Sequence, residues 1–309
     1  MAIYPLTQSQ LAAATTAQAL AFVKSPTLLA RRMSEILAAQ EFIGYSLLTG
    51  RYKVEGGAIA VPKNEVIRAD RPAETVNAGA EYKLTPMSSE EYDLYQALKD
   101  GLATEVADEM IGRQKNQPIE EALQVLKVEL LVRANATALA SIASKVTATI
   151  AAGAAWTTGK QIVKDALRAK AQVRALKLGF DLNTVVLTEA QYAAVMPEVF
   201  DMLPDNDPSI ISGSFPNVLG LTWLATADAN FANPLMVDRN RLGGIAREDI
   251  PSPEYARVPA INGVDTGVEI ASIREAKADK TRLQARNAHV PVVVNPGGGV
   301  VITGPGVGA

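Results

Sequence analysis

The chain has 309 residues, of which 48% are hydrophobic and 20% charged, so it can bury a substantial core and is not a disordered protein. Its 30 basic and 33 acidic residues give a net charge of -3, which lacks the strong basic excess typical of proteins that bind nucleic acid tightly. The absence of cysteine excludes disulfides, thiolate nucleophiles and cysteine-ligated metals.

The first fifty residues predict an N-terminal arm followed by one helix. Residues 1–25 are rich in Ala, Thr and Gln and have only weak periodicity, which indicates an arm poorly fixed in the isolated subunit. They also lack the basic and then apolar regions of a secretion signal. At Ser25-Pro26 a serine can cap a helix whose first residue is proline, and Leu28, Leu29 and Met33 begin its apolar stripe.

Residues 51–84 predict an extended loop. They carry short β-prone runs, two prolines and three glycines, and they have no hydrophobic pattern that could form a core. A loop of this length is uncommon in a compact domain unless it has a function. We expect an extended two-stranded hairpin that reaches onto a neighbouring subunit.

The next stretch predicts two helices. The capping box Ser88–Glu91 indicates a helix through Tyr92 and Leu98 that breaks near Gly101 and resumes to Gly112. A longer helix is predicted over 118–150, with acidic residues in its first turn, where the helix dipole favours them. At 1.5 Å per residue it spans roughly 50 Å, which suits a spine along a flat subunit. The most apolar window, 134–156, is interrupted by polar residues, so no membrane contact is expected.

The second half of the chain mixes helices and strands. A helix is predicted over about Gly159–Leu178, and Thr188 is predicted to cap another. The first of these is expected to turn Ile162, Val163, Ala166, Leu167, Val173 and Leu176 inward and Lys160, Lys164, Arg168 and Arg174 outward. Strands are predicted at 184–187, 218–225, 234–238, 267–273, 290–294 and 300–303. Because there is no regular βαβ alternation, the fold class is α+β.

Motifs that could carry chemistry are weak. The only histidine, His289, lies in a predicted strand, and a serine triad would depend on it alone. The stretch Gly153–Lys160 has one residue too many between its glycines for a phosphate loop, and Gln161 replaces the metal-binding hydroxyl. Gly297–Gly299 and Asp205–Asp207 are better explained as turns than as nucleotide or calcium sites. Asp108-Glu109 is better explained as an exposed acidic face. Trp156 and Trp223 are isolated aromatic residues and do not form a stacking platform for nucleic acid. We therefore predict no catalytic, cofactor-binding or metal-binding residue, no cofactor, and no enzyme.

Three stretches in order resemble the major capsid protein of tailed bacteriophages, with the Hong Kong 97-type fold. They are ALRAKAQVRALKLGFDLNTVVLTEAQYAAVM (166–196), FPNVLGLTWLATADA with NPLMVDRNRLGGIARED (215–249), and TRLQARNAHVPVVVNPGGGVVIT (281–303). The second departs from the family pattern at Thr222, where proline is usual, and Gly297-Gly298 stands where alanine is common in the third. Two upstream stretches, 72–86 and 99–110, are similar to capsid proteins of phages of actinobacteria.

The resemblance implies a domain organisation. Residues 1–50 would form the N-terminal arm and first helix, and 51–84 the extended loop, called the E-loop in that family. Residues 85–150 and 264–285 would form a peripheral domain with its spine helix at 118–150. Residues 151–263 and 286–309 would form an axial domain and C-terminal tail.

The same resemblance implies self-assembly. Pentamers and hexamers would build an icosahedral shell, assembled in the host cytoplasm, that encloses double-stranded DNA without sequence-specific binding. A separate scaffolding protein, a portal and a decoration protein are the other implied partners. Two alternatives stay open: an encapsulin-type compartment that holds a protein cargo, and a soluble α+β enzyme with an unrecognised site.

Overall fold

The computed structural model describes residues 15–38, 43–62, 73–84, 92–201, 217–218, 220–227, 231–260 and 265–306. The chain divides into two compact units, each assembled from three separate stretches. Unit 1 comprises Met1–Ala58, Gln96–Ser141 and Gly244–Val292, and unit 2 comprises Ile59–Tyr95, Ile142–Gly243 and Val293–Ala309.

The described residues form seven α-helices and fourteen strands. The helices are α1 (Thr16–Val23), α2 (Pro26–Ala38), α3 (Ile43–Leu47), α4 (Asp108–Gln114), α5 (Gln117–Lys145), α6 (Gly159–Ala175) and α7 (Glu189–Phe200). The strands are β1 (Gly50–Val54), β2 (Ala58–Pro62), β3 (Tyr92–Gln96), β4 (Leu98–Ala107), β5 (Thr149–Ala151), β6 (Thr184–Thr188), β7 (Asn217–Val218), β8 (Leu221–Thr226), β9 (Leu235–Val237), β10 (Gly243–Glu248), β11 (Tyr255–Arg257), β12 (Glu269–Glu275), β13 (Lys280–Val293) and β14 (Gly299–Thr303). We call α5 the spine helix and α6 the basic helix.

Unit 1 is organised around the long strand β13. Its sheet has the order β1-β10-β13-β12-β11, and β4 also pairs with β13, antiparallel, from Ala107 opposite Lys280 to Leu98 opposite His289. Helices α1, α2 and the first half of the spine helix supply the apolar side chains that cover this sheet. The core includes Phe22, Met33, Leu123, Leu126 and Ile270, all buried.

Unit 2 is a second sheet with its own core. The strand order is β5-β14-β9-β6-β8-β7, and the strands next to β6 are parallel β8 and antiparallel β9. Helices α6 and α7 pack on it, with Trp223 and Val185 fully buried between them and the sheet. The mixture of parallel and antiparallel pairs confirms the predicted α+β class.

Several predicted elements are confirmed. A helix begins at Pro26, and a second helix covers Gly159–Ala175. Thr188 caps α7, because its side chain accepts a hydrogen bond from the backbone N–H of Gln191 and the Gln191 side chain accepts one in return. The strands predicted at 184–187, 218–225, 234–238, 267–273, 290–294 and 300–303 all correspond to strands of the structure, although β13 is far longer than expected.

The predicted arm is wrong for the part of 1–25 that the structure describes. Thr15 caps α1 through a capping box with Gln18. Ala19, Phe22 and Val23 follow at helical spacing and are buried in the core of unit 1, so this segment is anchored by apolar contacts. Residues 1–14 lie outside the described residues.

The helix predicted from the Ser88–Glu91 capping box is also wrong. The box itself lies outside the described residues, and the following segment forms β3 and β4. The reason is tertiary: pairing with β13 satisfies the β4 backbone along ten residues. Among the described residues 92–116, only Asp108–Gln114 is helical. The expected hairpin also has different limits, because β2 pairs with β3 and the return strand lies beyond residue 84.

The two long helices differ from prediction in detail. The spine helix ends at Lys145 and not at 150, because Thr149–Ala151 pairs with β14 as strand β5. In the basic helix, Leu167 and Leu176 were expected inward but are 46% and 47% exposed, and Val163 is half-buried. No helix among the described residues is long and apolar enough to span a membrane.

Candidate assembly surfaces

The segment 73–84 exposes large apolar side chains. It contains no helix or strand, and Tyr82 is 79% and Leu84 is 92% exposed. An exposed ion pair joins Lys83 Nζ to Glu74 Oε2 at 2.6 Å within the segment. Neither hydrophobic core includes these side chains. Exposed apolar side chains grouped on one segment are typical of a surface that another molecule covers.

The return strand of this region is held firmly within unit 2. Lys145 Nζ, at the end of the spine helix, lies 2.8 Å from Asp93 Oδ2 and 5.6 Å from the centre of the Tyr95 ring. The hydrogen bond to Asp93 raises the pKa of Lys145. The Tyr95 hydroxyl donates to the carbonyl of Val293 at 3.3 Å. Strand β3 is thus fixed by its own chain, while Tyr92 and Leu94 on it remain 58% and 67% exposed.

The first half of the spine helix has two apolar faces. One packs in the core of unit 1 and is anchored by Arg32, whose Nε and Nη2 donate to the two carboxylate oxygens of Glu120 at 2.9 Å each. This hydrogen bonding raises the pKa of Arg32. The other face exposes Val125, Val128 and Val132 at 52%, 48% and 60%. We call that exposed side, with the flanking exposed residues Glu121 and Glu129, the valine face.

The basic helix exposes a face of opposite charge. Lys160, Val163, Lys164, Leu167, Arg168 and Ala171 line a shallow groove of about 470 Å³. Arg168 Nη1 pairs with Asp165 Oδ1 at 2.9 Å, while Lys160 and Lys164 have no carboxylate within ion-pair distance among the described residues. We call the six groove residues the basic face.

A charged cleft of about 310 Å³ lies in unit 1 between β1 and the loop before β12. Arg247 pairs with Asp265 at 2.7 Å and with Asp249 at 3.0 Å, and Arg257 contacts the same two carboxylates. Burial acts to raise the pKa of Asp265, but hydrogen bonds from Arg257 and from the Gly267 N–H outweigh it and the pKa is lowered. Each of the two carboxylates has two guanidinium partners, which is typical of a structural ion-pair network.

His289 is a core residue. It is 3% exposed, and neither ring nitrogen has a hydrogen-bond partner in the part of the chain that the structure describes. Burial lowers its pKa, which favours the neutral ring. The Tyr45 ring lies beside it, with ring centres 6.3 Å apart. A general base needs a proton donor within reach, and His289 has none among the described residues.

The turn that resembles a phosphate loop is closed by a carboxylate. The Gly153 N–H donates to both oxygens of Asp165 at 3.1 Å, and the Trp156 indole donates to Oδ2 at 3.1 Å. A phosphate site needs free N–H groups and positive charge, whereas here the buried carboxylate of Asp165 already occupies the donors.

The other candidates from the sequence form no common site. Gly297 lies in a short 3₁₀ turn beside Phe180, and Asp108 pairs with Arg274 at 2.6 Å. Trp223 is buried in the core of unit 2. The Asp205–Asp207 run lies outside the described residues. Within the described ranges, no group of three or more His, Cys, Asp or Glu side chains could hold a metal ion.

Comparison with known proteins agrees with this picture. Residues 90–302 match the family model described as phage capsid protein, which is well over half of the chain. No curated protein matches the sequence.

Solved structures share the fold at low sequence identity. The capsid of cyanophage P-SCSP1u has a TM-score of 0.58 at 11% identity, covering 83% of this chain and 86% of that one. The capsid of Myoviridae phage XM1 has a TM-score of 0.52 at 11% identity, covering 86% and 94%. The holo-SrpI encapsulin complex from Synechococcus elongatus has a TM-score of 0.52 at 13% identity, covering 82% and 83%.

These findings decide between a structural and a catalytic role. The family is one of shell proteins, and the exposed apolar surfaces described above suit subunit contacts rather than chemistry. The chain is therefore a structural, non-enzymatic protein that belongs to the phage capsid protein family and has the Hong Kong 97-type fold of tailed-phage major capsid proteins.

Proposed function

We propose that the chain self-assembles into pentamers and hexamers, which together form an icosahedral shell around double-stranded DNA. The observation that carries this proposal is the segment 73–84, in which Tyr82 and Leu84 are exposed and belong to neither core of the described residues. A segment of this kind gains stability only when another molecule covers it. In a shell every subunit lies beside other copies of itself, so a neighbouring copy is the partner that we propose for this segment.

The domain organisation forms part of the proposal. We assign the E-loop to 51–84, the peripheral domain to 85–150 with 264–285, and the axial domain to 151–263 with 286–309. Residues 1–50 precede the E-loop and contain helices α1, α2 and α3. The proposed partners outside the shell are a separate scaffolding protein, a portal and a decoration protein. The shell is assembled in the host cytoplasm and becomes the capsid of the virion.

The enclosed DNA is proposed to face the shell without sequence-specific contacts. The net charge of -3 supports this, because a strongly basic inner surface would bind phosphates with a large, salt-dependent affinity. A nearly neutral shell protein can enclose nucleic acid and still release it.

The test is to purify the protein and measure particle size by light scattering, followed by electron microscopy. The expected result is closed shells with five-fold and six-fold rings of subunits. Particles from the native source are expected to contain nuclease-protected double-stranded DNA. A compact monomer or dimer at every concentration would overturn the proposal.

A second candidate is an encapsulin-type compartment with a protein cargo. The observation in its favour is the structural likeness to the encapsulin complex, which is as close as the likeness to the phage XM1 capsid. The same purification separates the two candidates. Native particles that hold protein and never DNA would favour the compartment.

A further inference from the structure

Two exposed helix faces on different parts of the chain have complementary chemistry. The valine face of the spine helix is an apolar stripe bordered by Glu121 and Glu129. The basic face of the basic helix has half-buried Val163 and exposed Leu167 at its centre and three cations around them. One face is apolar and acidic, and the other is apolar and basic.

The spacing of the two faces is also the same. The valine face consists of Glu121, Val125, Val128, Glu129 and Val132. Positions 160, 164, 167, 168 and 171 of the basic face carry Lys, Lys, Leu, Arg and Ala, with identical intervals. Each set follows one side of a helix over three turns, about 16 Å at 1.5 Å per residue. Two helices side by side can therefore bring the apolar stripes together and place acidic residues opposite basic ones.

We propose that the valine face of one copy packs against the basic face of a second copy. This inference rests on the proposed self-assembly and names one of its contacts. Val128 and Leu167 are the central apolar residues, and Glu121 and Glu129 face the cations of the partner's basic face. The contact covers apolar side chains that are about half exposed in the single chain.

Nucleic acid is a less suitable occupant of the basic face. Phosphate contacts need cations alone, whereas the centre of this face is apolar. Asp165, which pairs with Arg168, also reduces the positive charge available to a phosphate. An acidic, apolar helix satisfies both parts of the surface.

The contact joins unlike surfaces, so it is heterologous. A copy that presents its valine face to one neighbour still has its basic face free for another. Contacts of this type close into rings when the rotation between copies permits it. Pentamers and hexamers are rings of this kind.

Introduced cysteines test the proximity of the two faces, because the chain has no cysteine of its own. We would assemble a mixture of Val128→Cys and Leu167→Cys subunits, oxidise it, and analyse it on a non-reducing denaturing gel. A disulfide-linked dimer is expected from the mixture and none from either variant alone. A matched control is Leu176→Cys mixed with Val128→Cys, because Leu176 is as exposed as Leu167 but lies beyond the end of the basic helix. No link in the first mixture, or an equal link in a single variant or in the control, overturns the proposal.

Charge reversal tests the electrostatic part. Glu121→Lys with Glu129→Lys is expected to lower particle yield by about tenfold or more, because cations would then face cations. Adding Lys160→Glu and Lys164→Glu is expected to restore most of the yield. Glu254→Lys, at an exposed position on neither face, should leave assembly unchanged.

The outcomes separate this contact from the proposed function. If the unaltered chain forms no particles, self-assembly itself fails. If it forms particles and the charge-reversed variants assemble equally well, only the contact between the two faces is refuted. Normal assembly of Lys160→Glu with Lys164→Glu and a loss of bound nucleic acid would also overturn it, and would assign the basic face to nucleic acid.

Discussion

Replacing Gly244 with alanine should weaken the attachment of strand β1. Gly244 lies opposite Gly50 in the parallel pairing of β1 with β10. A Cβ atom at Gly244 would lie 2.3 Å from the Gly50 carbonyl oxygen and 2.4 Å from its carbon. These are backbone atoms, so no side chain can rotate away. Strand β1 has to move by about 1 Å to restore ordinary contact, which is enough to break hydrogen bonds of the ladder.

The size of the effect follows from two contributions. Overpacking costs about 1–3 kcal/mol, and each lost backbone hydrogen bond costs about 1 kcal/mol. We expect local opening of β1 to become easier by about 2–4 kcal/mol, which is roughly 30- to 1000-fold in the opening equilibrium. Both tryptophans lie in unit 2, so fluorescence cannot report this change. Hydrogen exchange of the amides of 50–54 in the unassembled subunit measures it directly.

Gly112→Ala is the matched control. Gly112 lies inside α4, and a Cβ there meets no heavy atom within 4 Å. Alanine in a helix is more favourable than glycine by about 0.5–1 kcal/mol, so this variant should be at least as stable as the natural chain. If Gly244→Ala leaves exchange in β1 within about threefold of the natural chain, steric contact between the two backbones is not what holds this strand.

Three further predictions concern buried and exposed side chains. Asp165→Ala should lower the free energy of unfolding by about 2–4 kcal/mol in urea titrations followed by tryptophan fluorescence, because it leaves the buried indole N–H of Trp156 and a backbone N–H without an acceptor; an unchanged midpoint would contradict this. Burial lowers the pKa of His289 in the folded state. The free energy of unfolding should therefore be independent of this residue's titration above about pH 6.5, where the unfolded ring is neutral. It should decrease as the pH falls from the unfolded pKa to the folded pKa, because the unfolded state then binds a proton that the folded state does not. The slope from this residue is at most about 1.4 kcal/mol per pH unit, and it should be absent in His289→Leu, as urea titrations between pH 5 and 7.5 can show. Tyr82→Ser with Leu84→Ser should reduce the yield of shells by light scattering and leave the urea midpoint of the unassembled subunit unchanged, since both side chains are exposed there; a large loss of subunit stability would show instead that they pack in their own chain.

Local signals in the sequence predict much of the fold. The Ser25-Pro26 start, the Thr188 cap, and the apolar spacing of the spine helix depend on neighbours in the sequence, and the structure has all three elements. The resemblance in 166–303 also identified the family. The caps and the apolar spacing are determined within one or two helical turns, so sequence alone is sufficient for them.

Features that depend on distant partners were harder to predict. The segment after Glu91 has a plausible helix start, but β4 pairs with β13, about 180 residues later. The same holds for Thr149–Ala151, which is drawn into the sheet by β14. In both segments, pairing with a distant strand outweighs the local helical propensity, and neighbouring residues in the sequence cannot predict that pairing.

The exposed surfaces of the helices show a second limit of prediction from sequence. Helical spacing was used to predict that Leu167 faces inward, but Leu167 lies on the same side of its helix as Lys160 and Lys164. In the single chain Leu167 is half exposed. The valine face of the spine helix was also missed. Val125, Val128 and Val132 repeat at helical spacing, which was the available signal, and only the structure shows that the core lies on the other side.

The order of strands along the chain has a consequence for synthesis. Strand β13 lies in the middle of the sheet of unit 1, and β14 lies between β5 and β9 in unit 2. Both begin at residue 280 or later, so neither sheet can close until the ribosome has translated nearly the whole sequence described. A chain that terminates early lacks a central strand in at least one unit. We expect such truncated products to be unable to complete the fold that assembly requires.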